Sequence, residues 1–202
     1  MSPQAAINKR LTGLDEILDE SASLMARLGY HGTSMRDLAH VTGRSLSGLY
    51  HYFSNKEELL FLINQRGFTS LLEMSQGLLV QSITPQERLL RLIHNHVSYF
   101  IDHLSEMRIM TSGTMEMNEQ RSRIVWGLKQ DYTNLARQIV GDYINSQSNP
   151  NPPDNIITRK TFLLYGMMNW IFGWYSAKNH GTAQQVANDI FNTFTKGCCG
   201  TE

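Results

Sequence analysis

The sequence predicts an all-α protein: an N-terminal three-helix helix-turn-helix unit followed by a larger helical body. Three observations predict it. Apolar residues recur at three- and four-residue spacing through most of the chain, and no strand-like alternation and no internal repeat is present. Caps and glycine stops crowd the first 55 residues, so the helices there must be short. Beyond them the same signals are far apart, and the expected division is 1–55 and 56–202.

The first helix runs from about Ile7 to Leu28, with Leu14, Ile17, Leu18, Leu24, Met25 and Leu28 on its apolar side. Asp15, Glu16, Asp19 and Glu20 lie opposite, and Gly29 stops it. Ser34 and Asp37 fit a capping box for a second helix through Val41, ended by Gly43. Ser45 caps a third helix reaching about Tyr52, and Asn55 caps a fourth that starts at Lys56 and runs to about Ser82. Thr84, Pro85 and Glu87 open a fifth helix to about His103. The Met-rich stretch from Glu106 to Met117 reads as a short helix with a loop, and Glu119 to Asn145 as a long helix. Residues 148–153 form a loop, because Pro152 and Pro153 forbid helix there. Ile156 to Ala177 is the most apolar helix of the chain, and Thr182 with Gln185 caps a last one ending near Lys196.

A chain of 202 residues can bury a core without disulfides or metals. Its two cysteines, Cys198 and Cys199, are neighbours whose bridge would be strained, so a reducing, cytoplasmic compartment is expected. No apolar run has the length of a signal peptide or a membrane span. Eighteen basic and eighteen acidic residues cancel, which excludes a non-specific electrostatic glue for nucleic acid. Up to Lys56 the basic Lys9, Arg10, Arg27, Arg36, Arg44 and Lys56 are nearly balanced by Asp15, Glu16, Asp19, Glu20 and Asp37. Any DNA contact must therefore be local and built partly from neutral donors.

A helix-turn-helix needs small or polar residues at the start of its second short helix, which lies in the major groove. Ser45, Ser47 and Gly48 supply them, while Leu38, Val41, Leu49 and Phe53 are the anchors beneath. Tyr50, His51 and Tyr52 have the reach to meet phosphates or base edges. Lys56 opposes the dipole of the helix it opens, a placement that a bound phosphate would explain. With Ser34, Arg44 and Leu46 these residues make the expected double-stranded DNA surface.

The run Gly32-Thr33-Ser34-Met35-Arg36-Asp37-Leu38-Ala39, then Gly43, Ser45 to Phe53 and Asn55-Lys56-Glu57-Glu58-Leu59-Leu60, resembles the TetR family of transcriptional regulators over about residues 10 to 62. The resemblance implies an all-helical homodimer with a ligand pocket in the C-terminal domain, most members being repressors released by the ligand. Two departures stand out: Leu46 occupies a place where many members carry Lys or Arg, and Arg44 one where a small apolar residue is usual. The operator sequence is thus not transferable by analogy.

Gly166-Met167-Met168-Asn169-Trp170, followed by Trp174-Tyr175, is similar to a branch of that family that senses acyl-CoA thioesters. That branch often has an Arg near these aromatics, whereas this chain has Gly173, Ser176 and Lys178. A small apolar effector, a fatty acyl-CoA or similar, is implied. The expected pocket is lined by Phe100, Met107, Met110, Met115, Trp126, Tyr132, Phe162, Met167 and Trp170, where thioethers adapt to irregular ligands. In the resembled family the last two long helices pair with their copies, so Gly166, Gly173, Trp174, Phe191 and Phe194 are expected at a dimer interface.

Nothing in the chain suggests catalysis: there is no Gly-rich phosphate loop, nucleophile elbow or Cys pair at metal spacing. No cofactor is expected. His96, His103 and Glu106 are the one grouping for a single metal, and they read better as ordinary polar helix positions. The alternative function is a helical ligand-binding or metal-dependent protein with an incidental three-helix head.

Overall fold

The computed structural model describes residues 3–111, 116–147 and 152–198, with side chains over 13–111, 116–147 and 152–196. Regular structure among the described residues is entirely helical: α1 (Pro3–Gly32), α2 (Met35–Val41), α3 (Leu46–Tyr50), α4 (Lys56–Gln76), α5 (Pro85–Asp102), α6 (Leu104–Thr111), α7 (Glu119–Asn145), α8 (Asp154–Asn169), α9 (Ala177–His180) and α10 (Ala183–Cys198). Tight 3-10 turns follow α4 at Gly77–Leu79 and α8 at Trp170–Gly173. None of these helices is long and apolar enough to cross a membrane.

The capping chemistry read from the sequence is present. The Ser34 backbone N–H donates to the Asp37 carboxylate at 2.9 Å, and the Asp37 N–H returns to the Ser34 hydroxyl at 3.2 Å. Ser45 Oγ accepts from the Gly48 N–H at 3.0 Å, Asn55 Oδ1 from Glu58 at 2.8 Å, and Thr84 Oγ1 from Glu87 at 3.1 Å. Thr182 and Gln185 form the reciprocal pair that opens α10. Gly43 adopts φ 61° after α2, a left-handed conformation that only glycine takes without strain.

Four helix ends differ from expectation. Helical turns continue beyond Leu28 to Gly32, but Gly29 at φ 77°, ψ 162° breaks the axis where the stop was expected. α4 ends at Gln76 and α3 at Tyr50, each shorter than expected. α8 ends at Asn169 rather than Ala177. The Trp170 indole folds over Gly173, where a Cβ would lie 3.2 Å from the ring, and the chain tightens there, with Trp174 N–H donating to Ile171 O at 3.2 Å. Residues 148–151 of the expected loop, Met115 and the Cys198 and Cys199 side chains lie outside the described set.

The chain forms two compact units. The first takes residues 1–67 and 105–125, so it reaches past the expected 1–55 limit and includes the start of α4, α6 and the start of α7. Ile17, Leu38, Leu49, Phe53, Leu59, Ile63 and Met107 are its fully buried large side chains. The second unit comprises 68–104 and 126–202. Here α10 lies along α5 and buries Val186, Ala187, Phe191 and Phe194.

Candidate nucleic-acid interface and buried polar cluster

α3 has five residues, too few to hold a helix by its own hydrogen bonds. Burial anchors it: Leu49 is fully enclosed and Phe53, just beyond the helix, is nearly so. With those two inside, Ser45, Leu46, Ser47, Tyr50 and His51 remain exposed, Tyr50 by 53%. The Ser45 and Ser47 hydroxyls share a 3.0 Å hydrogen bond at the N-terminus of the helix. Ser34 is also exposed, and Gly48 is half-buried.

Tyr52 and Arg44 do something else. The Tyr52 hydroxyl rests against α1, where a Cβ at Gly13 would approach it to 2.9 Å. Arg44 lies over the Tyr52 ring, 5.8 Å from its centroid, and 3.7 Å from Glu16. Both side chains tie the end of the helix-turn-helix to α1, a structural role for Tyr52 and Arg44 beside the DNA contact expected of them.

Lys56 has partners within the fold as well. Its ammonium donates to the backbone oxygens of Tyr30 at 2.6 Å and Thr33 at 2.8 Å, and sits 4.3 Å from the Tyr30 ring centroid. These oxygens end the α1 segment, where a cation is favoured, so a fold-internal contact offsets the unfavourable dipole of α4. A phosphate is not required to explain the residue. The two carboxylates beside it, Glu57 and Glu58, are placed well for the α4 N-terminus and meet Arg121 at 2.9 and 3.5 Å. A backbone hydrogen bond from Asn118, with Arg121 behind it, holds the Glu57 carboxyl below the usual range.

Deeper in the first unit, Arg66 joins three helices. It donates to Asp19 on α1 at 2.6 Å and to Glu106 on α6 at 2.7 Å, while Glu106 itself is 2% exposed. Burial alone would lower the Arg66 pKa; the bonds and charges of Glu106 and Asp19 raise it instead. Next to it, Gly67 lets α6 approach so closely that any Cβ there would collide with Met110.

The second unit holds a buried polar cluster built from four helices. His96 on α5 meets the Tyr132 hydroxyl on α7 at 2.9 Å through Nδ1, and the Asn169 amide oxygen on α8 at 3.0 Å through Nε2. Phe100 covers the imidazole at a centroid distance of 3.8 Å, and Tyr165 stacks on it at 6.0 Å. Tyr165 also donates to the Tyr132 carbonyl at 3.4 Å. The Ser75 hydroxyl of α4 lies beside the Tyr132 phenol, fully buried and without a geometrically sound hydrogen bond. Burial pushes the His96 imidazole down to about 3, so it is neutral near pH 7, and burial raises the Tyr132 phenol. The Asn169 oxygen accepts from Nε2–H, which leaves Nδ1 to accept the Tyr132 proton.

The expected pocket residues are thus dispersed. Phe100 and Tyr132 meet around His96; Met107 and Met110 are buried in the first unit; Met167 is half-buried. Trp126, Phe162 and Trp170 are 57%, 57% and 64% exposed. His96, expected to be an ordinary polar helix position, is instead a fully buried hub. Ser75 and Tyr165 were not singled out by the sequence, whereas Asn169 stood in the Gly166–Trp170 run that resembles the acyl-CoA-sensing branch, without a role of its own. Of the expected interface, Gly166, Gly173 and Trp174 are exposed, but Phe191 and Phe194 are spent on the protomer's own core. The reason is amphipathy: α10 has one apolar face, and α5 covers it.

The sequence matches the profile "Bacterial regulatory proteins, tetR family" over residues 17–63 and "Tetracyclin repressor-like, C-terminal domain" over 82–198. A Bacillus subtilis (strain 168) relative, "Fatty acid metabolism regulator protein", is 24% identical over 136 residues, 65% of this chain and 68% of the relative. The crystal structure of PfmR from Thermus thermophilus, a TetR family transcriptional regulator, superposes with a TM-score of 0.77 at 25% identity, covering 88% of this chain and 96% of that one. AibR in complex with isovaleryl coenzyme A and operator DNA gives 0.75 at 25% identity, covering 90% and 97%. Matched in its head and in its body, this chain belongs to the tetR family of bacterial regulatory proteins and is a DNA-binding transcriptional regulator.

Proposed function

We propose that the protein is a homodimeric, cytoplasmic repressor that leaves a palindromic operator when its body binds a small acyl-type effector. The observation that carries the DNA part is the way Leu49 and Phe53 are buried while Ser45, Leu46, Ser47, Tyr50 and His51 stay outside. That division gives α3 one anchored face and one short polar face suited to a major groove. Ser34 and Gly48 add a hydroxyl and a backbone that can approach phosphate closely. Two such heads on a twofold axis would read two half-sites about one helical turn apart.

The dimer part rests on α8. Phe162, Leu163, Gly166 and Trp170 follow one another at helical spacing and are all exposed, an apolar stripe unusual on a monomer. Gly173 and Trp174 continue it. The effector class draws support from two likenesses: one neighbour binds isovaleryl coenzyme A and operator DNA, and one relative regulates fatty acid metabolism. An effector acts only through its different affinity for the DNA-competent and released states.

Selection of bound fragments from sheared genomic DNA tests the reading. One palindrome should be enriched, and acyl-CoA thioesters of graded chain length should release it. Enrichment of no common palindrome would sink the operator assignment, and retention of the operator with every thioester would sink the effector class.

A further inference from the structure

Resting on that reading, we infer that Ser75, His96, Tyr132 and Asn169 form the recognition point for the effector's polar group, and that this group is an uncharged hydrogen-bond acceptor: the carbonyl of a thioester, ester or ketone. The cluster is a polar island within the apolar core of the second unit. Ser75, His96 and Tyr132 are 0%, 2% and 3% exposed. A core with no ligand to recognise would gain by replacing such groups with apolar ones, since a buried polar atom costs free energy unless it is bonded.

The hydrogen-bond count says what kind of atom fits. The His96 ring uses both nitrogens, Nε2–H on the Asn169 oxygen and Nδ1 on the Tyr132 hydroxyl. Both ring nitrogens are used in this way, while the Tyr132 oxygen, donating its own proton to Nδ1, keeps lone pairs beside Ser75. Two donors make no geometrically sound hydrogen bond among the described residues: the fully buried Ser75 hydroxyl, beside the Tyr132 oxygen, and the half-buried Asn169 amide nitrogen. Surplus donors call for an acceptor oxygen.

Charge narrows the class further. Among the described residues no Lys or Arg bonds to any member of the cluster, and His96 is neutral, so a carboxylate buried here would have no counter-charge. A carbonyl meets no such penalty. Tyr165 and Asn169 are only half-buried, and Phe162 lies edge-on to Tyr165 at 6.2 Å, so aromatic side chains that could flank an acyl chain stand on the α8 side of the island.

The test uses the full-length protein, operator release followed by fluorescence anisotropy, and thermal shift. The probes are dodecanoyl-CoA, methyl dodecanoate, sodium dodecanoate and dodecane, each with wild type, Ser75→Ala and Tyr132→Phe. Ser75→Ala is the decisive variant, because it removes a hydroxyl without touching either His96 hydrogen bond and should leave the unliganded melting temperature nearly unchanged. The expected result is that the thioester and the methyl ester raise the melting temperature of the wild type while dodecanoate and dodecane do not. Ester affinity should fall about tenfold in Ser75→Ala, the size of one lost hydrogen bond to a buried acceptor. Equal binding of dodecanoate or dodecane, or unchanged ester affinity in both variants, would overturn the inference. Thioester release of the operator that is identical in wild type and Ser75→Ala keeps the proposed function and removes this subsite. Failure of every acyl probe to bind, with operator binding intact, overturns both the subsite and the acyl effector.

Discussion

His96 and Lys56 are two polar residues whose meaning depends on what buries them. For His96 the folded pKa, about 3, lies below the unfolded value of 6.5. Above 6.5 both states are neutral and the group adds no pH dependence. As pH falls below 6.5 the unfolded chain takes up a proton that the folded protein refuses, so stability is lost progressively down to about 3, by at most about 1.4 kcal/mol per pH unit. Urea denaturation of wild type and His96→Gln between pH 6.5 and 5, above the carboxylate range, should show a flatter profile for the variant; parallel profiles would mean that His96 titrates normally in the fold. Lys56 teaches the opposite lesson. Its dipole-opposed position was legible in the sequence, but the carbonyls of Tyr30 and Thr33 that hold it come from a chain reversal that spacing alone does not reveal.

Among the elements, caps were the most legible feature, because a cap is a contact between residues three apart and depends on little else. Ser34, Ser45, Asn55, Thr84 and Thr182 all start helices as their side chains dictate. Helix ends were less legible: α8 stops at Asn169 and gives way to a 3-10 turn over Trp170–Gly173, inside an apolar run that carries no proline to mark the change. Partners across helices were hidden altogether. Arg66 and Glu106 are forty residues apart, and nothing local marks either as half of a buried pair. That pair fixes α6 against α1 and α4 in the first unit. Arg66→Met should therefore cost about 3–5 kcal/mol, because Glu106 stays buried without its cation, and Arg66→Met combined with Glu106→Leu should recover much of the loss. Chemical denaturation of the single and double variants decides it: additive losses would show the pair to be uncoupled.

For the molecule as a whole, the balance of eighteen charges of each sign means that sequence-independent attraction to DNA is small and that operator affinity rests on pairing two heads. The sequence suggested α8 and α10 together as the pairing surface, but only the α8 stripe is uncovered. Trp170→Glu with Phe162→Glu should shift the sedimentation coefficient to that of a monomer and weaken operator binding at least about tenfold, while leaving the helical circular dichroism unchanged. A dimer that survives both changes would move the interface elsewhere. One further consequence follows from the close seating of Tyr52 on Gly13. The Tyr52 side chain just beyond α3 is seated from behind, against a glycine on α1 where an added Cβ would stand 2.9 Å from its hydroxyl. A larger residue at that hidden position would press on the side chain that anchors the end of the reading helix, with its exposed face unchanged. The targets of such a regulator can then diverge between descendants whose DNA-facing residues are identical, and comparing recognition residues alone would miss the divergence.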